Sequence, residues 1–208
     1  MITVHHLNNS RSQRILWLLE ELGLDYEIKR YLRDPKTNLA PPELKAINPL
    51  GKSPVIEEGT LVLTESGAIV DYLIRRHGNG QLQPDPATPA YDEYVKWLHF
   101  AEGSAMLPFM LHLYVGRLGD AGAPLQPRIQ SELANFLGYI NDTLGRTPYL
   151  LGAQFSGADI ELSFVGELAK TQGMTAPYPH LQAWLARLQA RPAYQKAIER
   201  GGEYAYGK

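Results

Sequence analysis

Apolar side chains at the start of the chain follow two different periods. Residues 2–7 (ITVHHL) alternate weakly and predict a buried strand, and residues 25–31 predict a second strand. Between them, apolar positions recur at helical spacing from Arg11 onward, and Gly23 ends that stripe. The stripe consists of Ile15, Leu16, Leu18, Leu19 and Leu22. The predicted order so far is strand, helix, strand.

Residues 43–78 continue this order with two more strands and two more helices. A short helix is predicted near residues 43–46, and residues 61–63 form a strand paired with one that starts at Val55. Glu58 and Gly59 provide the turn between the two strands. A helix follows and ends near Gly78. The resulting order, βαβαββα, is the thioredoxin-like arrangement of an α/β domain.

The remainder of the chain has only helical periods. Prolines and glycines concentrate around a predicted linker at residues 81–90, which divides a domain at 1–80 from an all-α helical bundle at 91–208. The first long helix, 91–118, is expected to kink or close its first half at Pro108. A second long helix is predicted at 124–144.

A later helix of the bundle begins with a recognisable start signal. Ser156 can cap it, and Asp159, three residues on, can return a hydrogen bond. Phe155 can staple onto Ile160. We assign this group to folding of the bundle.

Composition excludes several classes of function. Twenty Lys and Arg against 22 Asp and Glu give a net charge of −2, so no basic surplus favours nucleic acid or an anionic membrane. No apolar run approaches the ~18 residues that a membrane span needs, and the N-terminus lacks the pattern of a signal peptide. We expect a cytoplasmic protein.

The chain contains no cysteine. It therefore has no disulfide, no thiolate nucleophile and no cysteine-based metal site. Any thiol chemistry must use a thiol that a ligand brings. His5 and His6 do not suggest a metal either, because adjacent strand residues face opposite sides of a sheet.

Pro54 stands directly before the strand at Val55, where a donor to the sheet is normally needed. A trans proline would simply open the strand. A cis Ser53–Pro54 bond would turn the main chain of Ser53 outward, toward an extended ligand.

Glu65 and Ser66 lie where a strand passes into a helix. The first helical turn carries free N–H groups and partial positive charge, so a carboxylate can bind there with the Ser66 hydroxyl as an extra donor. Glu65 would then meet an ammonium group, and the pair suits an α-amino acid. The alternative is that Thr64 or Ser66 merely caps the helix.

Residues 48–55 (NPLGKSPV) followed by residues 64–69 (TESGAI) resemble the glutathione-binding half of cytosolic glutathione transferases, of the bacterial, serine-type kind. The resemblance implies that the residue before a cis-proline, here Ser53, pairs its main chain with the cysteinyl part of glutathione. It implies that Glu65 and Ser66 hold the γ-glutamyl end and that Lys52 reaches the glycyl carboxylate. Asn38 is the nearest candidate for a second glycyl contact.

The same resemblance implies a donor to the glutathione sulfur near the end of the first strand. Residues 9–14 (NSRSQR) resemble the Ser-x-Pro-x-Arg motif of the serine-using classes, with Ser12 in place of the proline. Ser10 is the expected catalytic residue, with Ser12 or Asn9 as alternatives; Ser10 could instead only cap the first helix. A homodimer and a small hydrophobic electrophile are expected, with no metal. A glutathione-dependent isomerase, dehalogenase or peroxidase, or a non-catalytic binding module, would carry the same motifs.

Overall fold

The computed structural model describes residues 1–207. A four-stranded mixed sheet has the order β2-β1-β3-β4. Its strands are β1 (Ile2–Leu7), β2 (Tyr26–Tyr31), β3 (Val55–Glu58) and β4 (Leu61–Thr64). Strand β1 pairs in parallel with β2 and antiparallel with β3, which pairs antiparallel with β4. With helices α1 (Ser12–Glu21), α2 (Pro42–Ile47) and α3 (Ser66–His77), this confirms the predicted βαβαββα order.

The sheet is held by apolar groups on the strands and the helices that cover it. Leu44 of α2 is fully buried and packs with Leu7 of β1 and Val55 of β3. Helix α1 packs on β1 and on α3, and its predicted apolar stripe is buried except at Leu22. These layers fix the ends of β1, β3 and β4, where the site residues lie.

The rest of the chain is helical, as predicted. The helices are α4 (Pro89–Phe100), α5 (Met106–Gly116), α6 (Gln126–Leu144), α7 (Gly157–Thr171), α8 (Pro179–Gln189) and α9 (Pro192–Gly201). A 3-10 segment, Gly119–Leu125, precedes α6. Within residues 1–207, no helix combines the length and the apolar character that crossing a membrane requires.

The break expected at Pro108 occurs one turn earlier. A π-helical turn, Ala101–Ala105, separates α4 from α5, and Pro108 lies inside the first turn of α5. A proline lacks its N–H and collides with the carbonyl four residues before it. The π-helical turn, which is wider than an α-helical one, therefore includes the residue whose carbonyl would otherwise clash with the Pro108 ring.

The predicted start of α7 is confirmed in its polar part. Asp159 is fully buried, and its carboxylate accepts hydrogen bonds from Ser156 N–H at 3.0 Å, Leu150 N–H at 3.1 Å and Trp184 Nε1 at 2.9 Å. Burial raises the pKa of Asp159, and these donors oppose that shift. Phe155 forms an edge contact with Tyr149, a partner that the sequence did not predict.

The chain divides into two compact units, and the division differs from the predicted one at the C-terminus. The helical unit spans Pro84–Ala186, whereas the segment that begins at Arg187 joins Met1–Gln83 in the N-terminal unit. Helix α9 packs against α1, where Tyr194 makes an edge contact with Trp17, and basic residues of α9 and of the turn before it bind the acidic end of α1. Arg191 pairs with Glu21 at 2.6 Å, and Lys196 and Arg200 pair with Glu20 at 2.6 and 2.8 Å.

Candidate functional site

The predicted site residues of β3, β4 and α3 lie at one end of the strand hairpin. Val55 pairs with Thr64 in the β3–β4 register. Residues 53 and 54, just before β3, and residues 65 and 66, just after β4, therefore lie at the same end. The structure thus brings residues 53 and 54 close to residues 65 and 66, although ten residues lie between them in the sequence.

Ser53 fastens this end of the hairpin to β1. Its Oγ donates to His5 O at 2.8 Å and accepts from Leu7 N–H at 3.3 Å. The Ser53–Pro54 bond is cis, as the resemblance implies. Within residues 1–207, neither the N–H nor the C=O of Ser53 has a hydrogen-bond partner. The Ser53 main chain is therefore available to an extended ligand.

Glu65 adopts a backbone conformation that L-residues rarely take, with φ 68° and ψ 117°. It occupies the N-cap position of α3, and its own side chain makes no capping hydrogen bond. A residue in such a conformation costs on the order of 1–3 kcal/mol, and strain of this kind collects at functional sites. The Glu65 side chain is exposed at the N-terminus of α3, as an amino-acid site requires.

Arg14 contributes a positive charge to the ligand site, and the sequence analysis did not predict this role. It is a buried residue of α1, and its Nη2 donates to Ser66 Oγ at 3.1 Å. A hydroxyl that accepts from a guanidinium can also donate its own hydrogen. The positive charge beneath Ser66 also favours an anionic ligand group. Arg14 occupies the arginine position of the Ser-x-Pro-x-Arg-like motif at residues 10–14, and this match is the sequence signal that could have identified it.

A chain of hydrogen bonds runs inward from Ser10. Ser10 Oγ lies 2.8 Å from Ser12 Oγ, which lies 2.8 Å from His6 Nδ1 and 3.3 Å from Leu7 O. Both Ser10 and Ser12 are buried, at 5% and 0% exposure. Ser10 Oγ also accepts from Ser12 N–H at 3.2 Å, so it contributes to the start of α1.

The direction of this chain follows from the groups that Ser12 contacts. Burial, with a smaller contribution from Arg30, lowers the pKa of His6 to about 4, so the ring is neutral near neutral pH; a backbone hydrogen bond with Gly201 opposes that shift. The Ser12 hydroxyl donates its one hydrogen to Leu7 O or to the unprotonated Nδ1 of His6, and in either case Ser12 Oγ accepts from the Ser10 hydroxyl. The Ser10 hydrogen is therefore directed into the protein.

We predict that His6 makes the protein less stable in acid. The folded pKa, about 4, lies below the ordinary value of 6.5, so the folded protein binds fewer protons between these values. The free energy of unfolding should fall by about 1 kcal/mol more in wild type than in His6→Gln as the pH falls from about 7 to about 5.5. Urea unfolding at both pH values measures this difference. The exposed His99→Gln variant is the control; equal pH dependence in wild type and His6→Gln would contradict the prediction.

Asn9 is the third candidate near the end of β1, and its amide is oriented by the C-terminal segment. Its Oδ1 accepts from the Ala205 N–H at 2.7 Å. Its backbone has φ 50°, a left-handed conformation that asparagine tolerates well. Among residues 1–207, no group accepts a hydrogen bond from Asn9 Nδ2. Of the three candidates, Asn9 alone presents a donor that no other group uses.

The two expected glycyl contacts lie on exposed loops. Lys52 is exposed, and its main-chain carbonyl accepts from Asn48 Nδ2 at 3.0 Å, which shapes the turn before Ser53. Asn38 is exposed with φ 59°, and Arg33 Nη1 donates to its carbonyl at 3.0 Å. Arg33 also binds the carbonyls of residues 8 and 9, at 3.2 and 3.4 Å. This arginine, which the sequence reading missed, joins the Asn38 loop to the Asn9 loop.

The two histidines of β1 have separate partners. His5 is fully buried, with Nδ1 2.8 Å from the Tyr31 hydroxyl and Nε2 3.1 Å from Glu57. His6 contacts Ser12, as described above. Within residues 1–207, no three metal-ligating side chains lie close enough together to hold an ion.

Comparison with known proteins gives consistent matches over nearly the whole chain. The family profile "Glutathione S-transferase, N-terminal domain" matches residues 1–75, and "Glutathione S-transferase, C-terminal domain" matches residues 123–187. Glutathione S-transferase 3 of Schizosaccharomyces pombe is 34% identical, over 96% of this chain and 88% of its own. GstB of Escherichia coli K12 is 31% identical, over 95% of this chain and 98% of its own.

Solved structures give the same result. A glutathione S-transferase from Actinobacillus pleuropneumoniae superposes with a TM-score of 0.90 and 37% identity, covering 99% of this chain and 94% of that one. A family member from Pseudomonas fluorescens, solved with two glutathione molecules bound, has a TM-score of 0.81 and 27% identity, covering 95% and 92%. This chain belongs to the glutathione S-transferase family.

Proposed function

We propose that this protein is a glutathione transferase that ionises the thiol of bound glutathione and directs it at a small hydrophobic electrophile. One observation carries the proposal: the unpaired main chain of Ser53 and the strained Glu65 backbone at the start of α3 lie at the same end of one hairpin. The relative from Pseudomonas fluorescens, solved with glutathione bound, supports the choice of ligand.

The proposed ligand lies extended across the N-terminal unit. Its γ-glutamyl ammonium meets the Glu65 carboxylate, and its γ-glutamyl carboxylate meets the Ser66 hydroxyl and the first N–H groups of α3. Arg14, behind Ser66, adds attraction for that carboxylate. The Ser53 N–H and C=O pair with the cysteinyl part, as another strand would. Lys52 and the Asn38 loop receive the glycyl carboxylate.

This placement brings the cysteinyl sulfur toward the loop between β1 and α1, because Ser53 is bonded to β1 at His5 and Leu7. A donor to the sulfur stabilises the thiolate over the thiol. The geometry favours the Asn9 amide for this role, with Ser10 as the alternative. The thiolate then forms a carbon–sulfur bond, the leaving group departs with the bonding electrons, and the thiol proton passes to solvent. Holding both reactants together supplies much of the acceleration.

Two further parts of the proposal rest on the family: the roles of the segments of the chain and the oligomeric state. Residues 1–80 bind glutathione, residues 81–90 join the two domains, and residues 91–208 supply side chains that bind the electrophile. A homodimer is proposed for the same reason. The exposed apolar side chains of Leu50 and Val62 are consistent with a partner on the N-terminal unit.

Retention on immobilised glutathione, followed by a panel of electrophiles, tests the function. We expect retention, elution by free glutathione, and thioether products with aryl halides, from which the halide departs. Glutathione disulfide as the main product, with a hydroperoxide as substrate, would indicate a peroxidase instead. An unretained protein would favour a binding module without glutathione, and retention without turnover of any electrophile would indicate a carrier; both results would overturn the proposal.

A further inference from the structure

The C-terminal tail, residues 202–207, folds back onto the N-terminal unit. Helix α9 ends at Gly201, and Gly202, with φ 90°, turns the chain in a way that other residues would resist. Tyr204 is only 6% exposed and makes an edge contact with Tyr206 at 5.5 Å. A side chain at Gly207 would come within 3.0 Å of the Tyr204 ring, so the end of the tail is closely packed. The tail is therefore an ordered part of this unit.

This tail reaches the loop between β1 and α1 at one atom of Asn9. The Ala205 N–H donates to Asn9 Oδ1 at 2.7 Å, across 196 residues of sequence. Tyr206 lies close enough to Arg33 to oppose the burial that lowers the pKa of that guanidinium. Arg33 in turn binds the main-chain carbonyl of Asn9. The Asn9 residue is thus held from the tail through its side chain and from Arg33 through its main chain.

An amide held in this way has a fixed orientation. A backbone N–H can only donate, so the atom facing Ala205 must be the carbonyl oxygen of the Asn9 side chain. The NH2 group of the planar amide then points away from the tail. Without the tail, the side chain could turn about its own bonds and exchange its oxygen and nitrogen positions.

We infer that the C-terminal tail is a positioning element for thiol activation, in which the Ala205 N–H holds the Asn9 amide so that Nδ2 meets the glutathione sulfur. The inference rests on the proposed function, because it assigns Asn9 to the sulfur. Ala205 acts only through Asn9 and has no contact of its own with the ligand. Arg33 is bonded to the Asn9 main chain, and the charged and titratable groups that act on Arg33 are Tyr206 and Arg11.

Ala205→Pro is the direct test, because proline removes this one N–H. The matched control is Glu203→Pro, since the N–H of Glu203 has no partner among residues 1–207. We expect Ala205→Pro to raise the pKa of the bound glutathione thiol by about one unit, which lowers kcat/KM about tenfold at acid pH. Activity above the thiol pKa and affinity for S-methylglutathione, which has no thiol, should match those of Glu203→Pro. The ultraviolet absorbance of the thiolate gives the pKa directly.

A double-mutant cycle separates positioning from a merely structural tie. In the Asn9→Gly background, where glycine accepts φ 50°, Ala205→Pro should have no further effect on the pH profile. Three results would overturn the inference. They are an unchanged pH profile in Ala205→Pro, a loss of S-methylglutathione affinity as large as its loss of kcat/KM, and an additive effect in the double variant. Failure of wild type to bind S-methylglutathione would instead overturn the proposed function.

A second measurement needs no tail variant. In wild type, ionisation of bound glutathione should shift the amide resonance of Ala205, because Asn9 joins the two groups. The Asn9→Gly variant should lose that shift while the resonance of Glu203 behaves as before. A wild-type Ala205 resonance that does not respond to the thiol titration would contradict the inference.

Discussion

Asn9→Gly is expected to lower the rate of the glutathione transferase reaction about 50-fold at about pH 6.5 and to have little effect above about pH 9. A free thiol has a pKa of about 8.5, so about 1% is ionised at the lower pH. A site that lowers this pKa by about two units makes half of the bound thiol ionised, and a charge-assisted hydrogen bond of about 1.5–3 kcal/mol can supply that shift. Without the Asn9 amide, the bound thiol returns toward its ordinary pKa. The pH dependence of kcat/KM measures the change.

Ser10→Ala is the comparison that decides between the two donors. The Ser10 hydrogen is directed at Ser12, so this variant should keep the wild-type pH profile apart from a modest loss of stability. Glycine at position 9 accepts φ 50° without strain, so neither variant strains the folded backbone. A shifted profile in Ser10→Ala, with a normal one in Asn9→Gly, would assign the sulfur to the hydroxyl and reverse the direction of the chain through Ser12.

Replacing Glu65 should separate ligand binding from backbone strain. Both Glu65→Gly and Glu65→Gln are expected to weaken glutathione binding up to about 100-fold, because each removes the carboxylate that meets the ligand ammonium. Only glycine also accepts φ 68° at no steric cost. The free energy of unfolding of Glu65→Gly should therefore exceed that of Glu65→Gln by about 1 kcal/mol, after allowance for the added freedom of the unfolded chain.

Calorimetric titration with glutathione and urea unfolding of both variants provide the two measurements. An exposed acid of the same unit, Glu27, replaced by Gln, is the control for charge alone. Equal stability of the two Glu65 variants would show that the conformation is not strained. Undiminished affinity in both would remove Glu65 from the γ-glutamyl contact.

Local sequence signals predicted most of the architecture. The helical stripe from Ile15 to Leu22, the turn at Gly59 and the start of α7 at Ser156 each depend on neighbouring residues, and each was confirmed within a few positions. The break near Pro108 was displaced because relief of its clash requires a change at the preceding turn. A local sequence pattern cannot show at which residue the helical backbone will change to relieve this clash.

The ligand motifs were predictable in part. Ser53, Glu65 and Ser66 are close in sequence to the hairpin that unites them, so their shared location follows from one strand pairing. Arg33 and Ala205 both contact Asn9 from distant segments of the chain, and no periodicity in the sequence predicts such contacts. Sequence patterns also could not predict the direction of the Ser10 hydroxyl, since it depends on the buried contacts of Ser12 with Leu7 O and His6.

The grouping of α9 with the first part of the chain has a consequence for synthesis. Helix α1 ends in Glu20 and Glu21, whose cationic partners are Arg191, Lys196 and Arg200. During translation those partners are made after the whole helical unit, Pro84–Ala186, so the N-terminal unit cannot be completed until that unit has been synthesised. A single cut between residues 83 and 84 would likewise yield no piece with the full N-terminal unit, whereas an added segment there would leave both units whole.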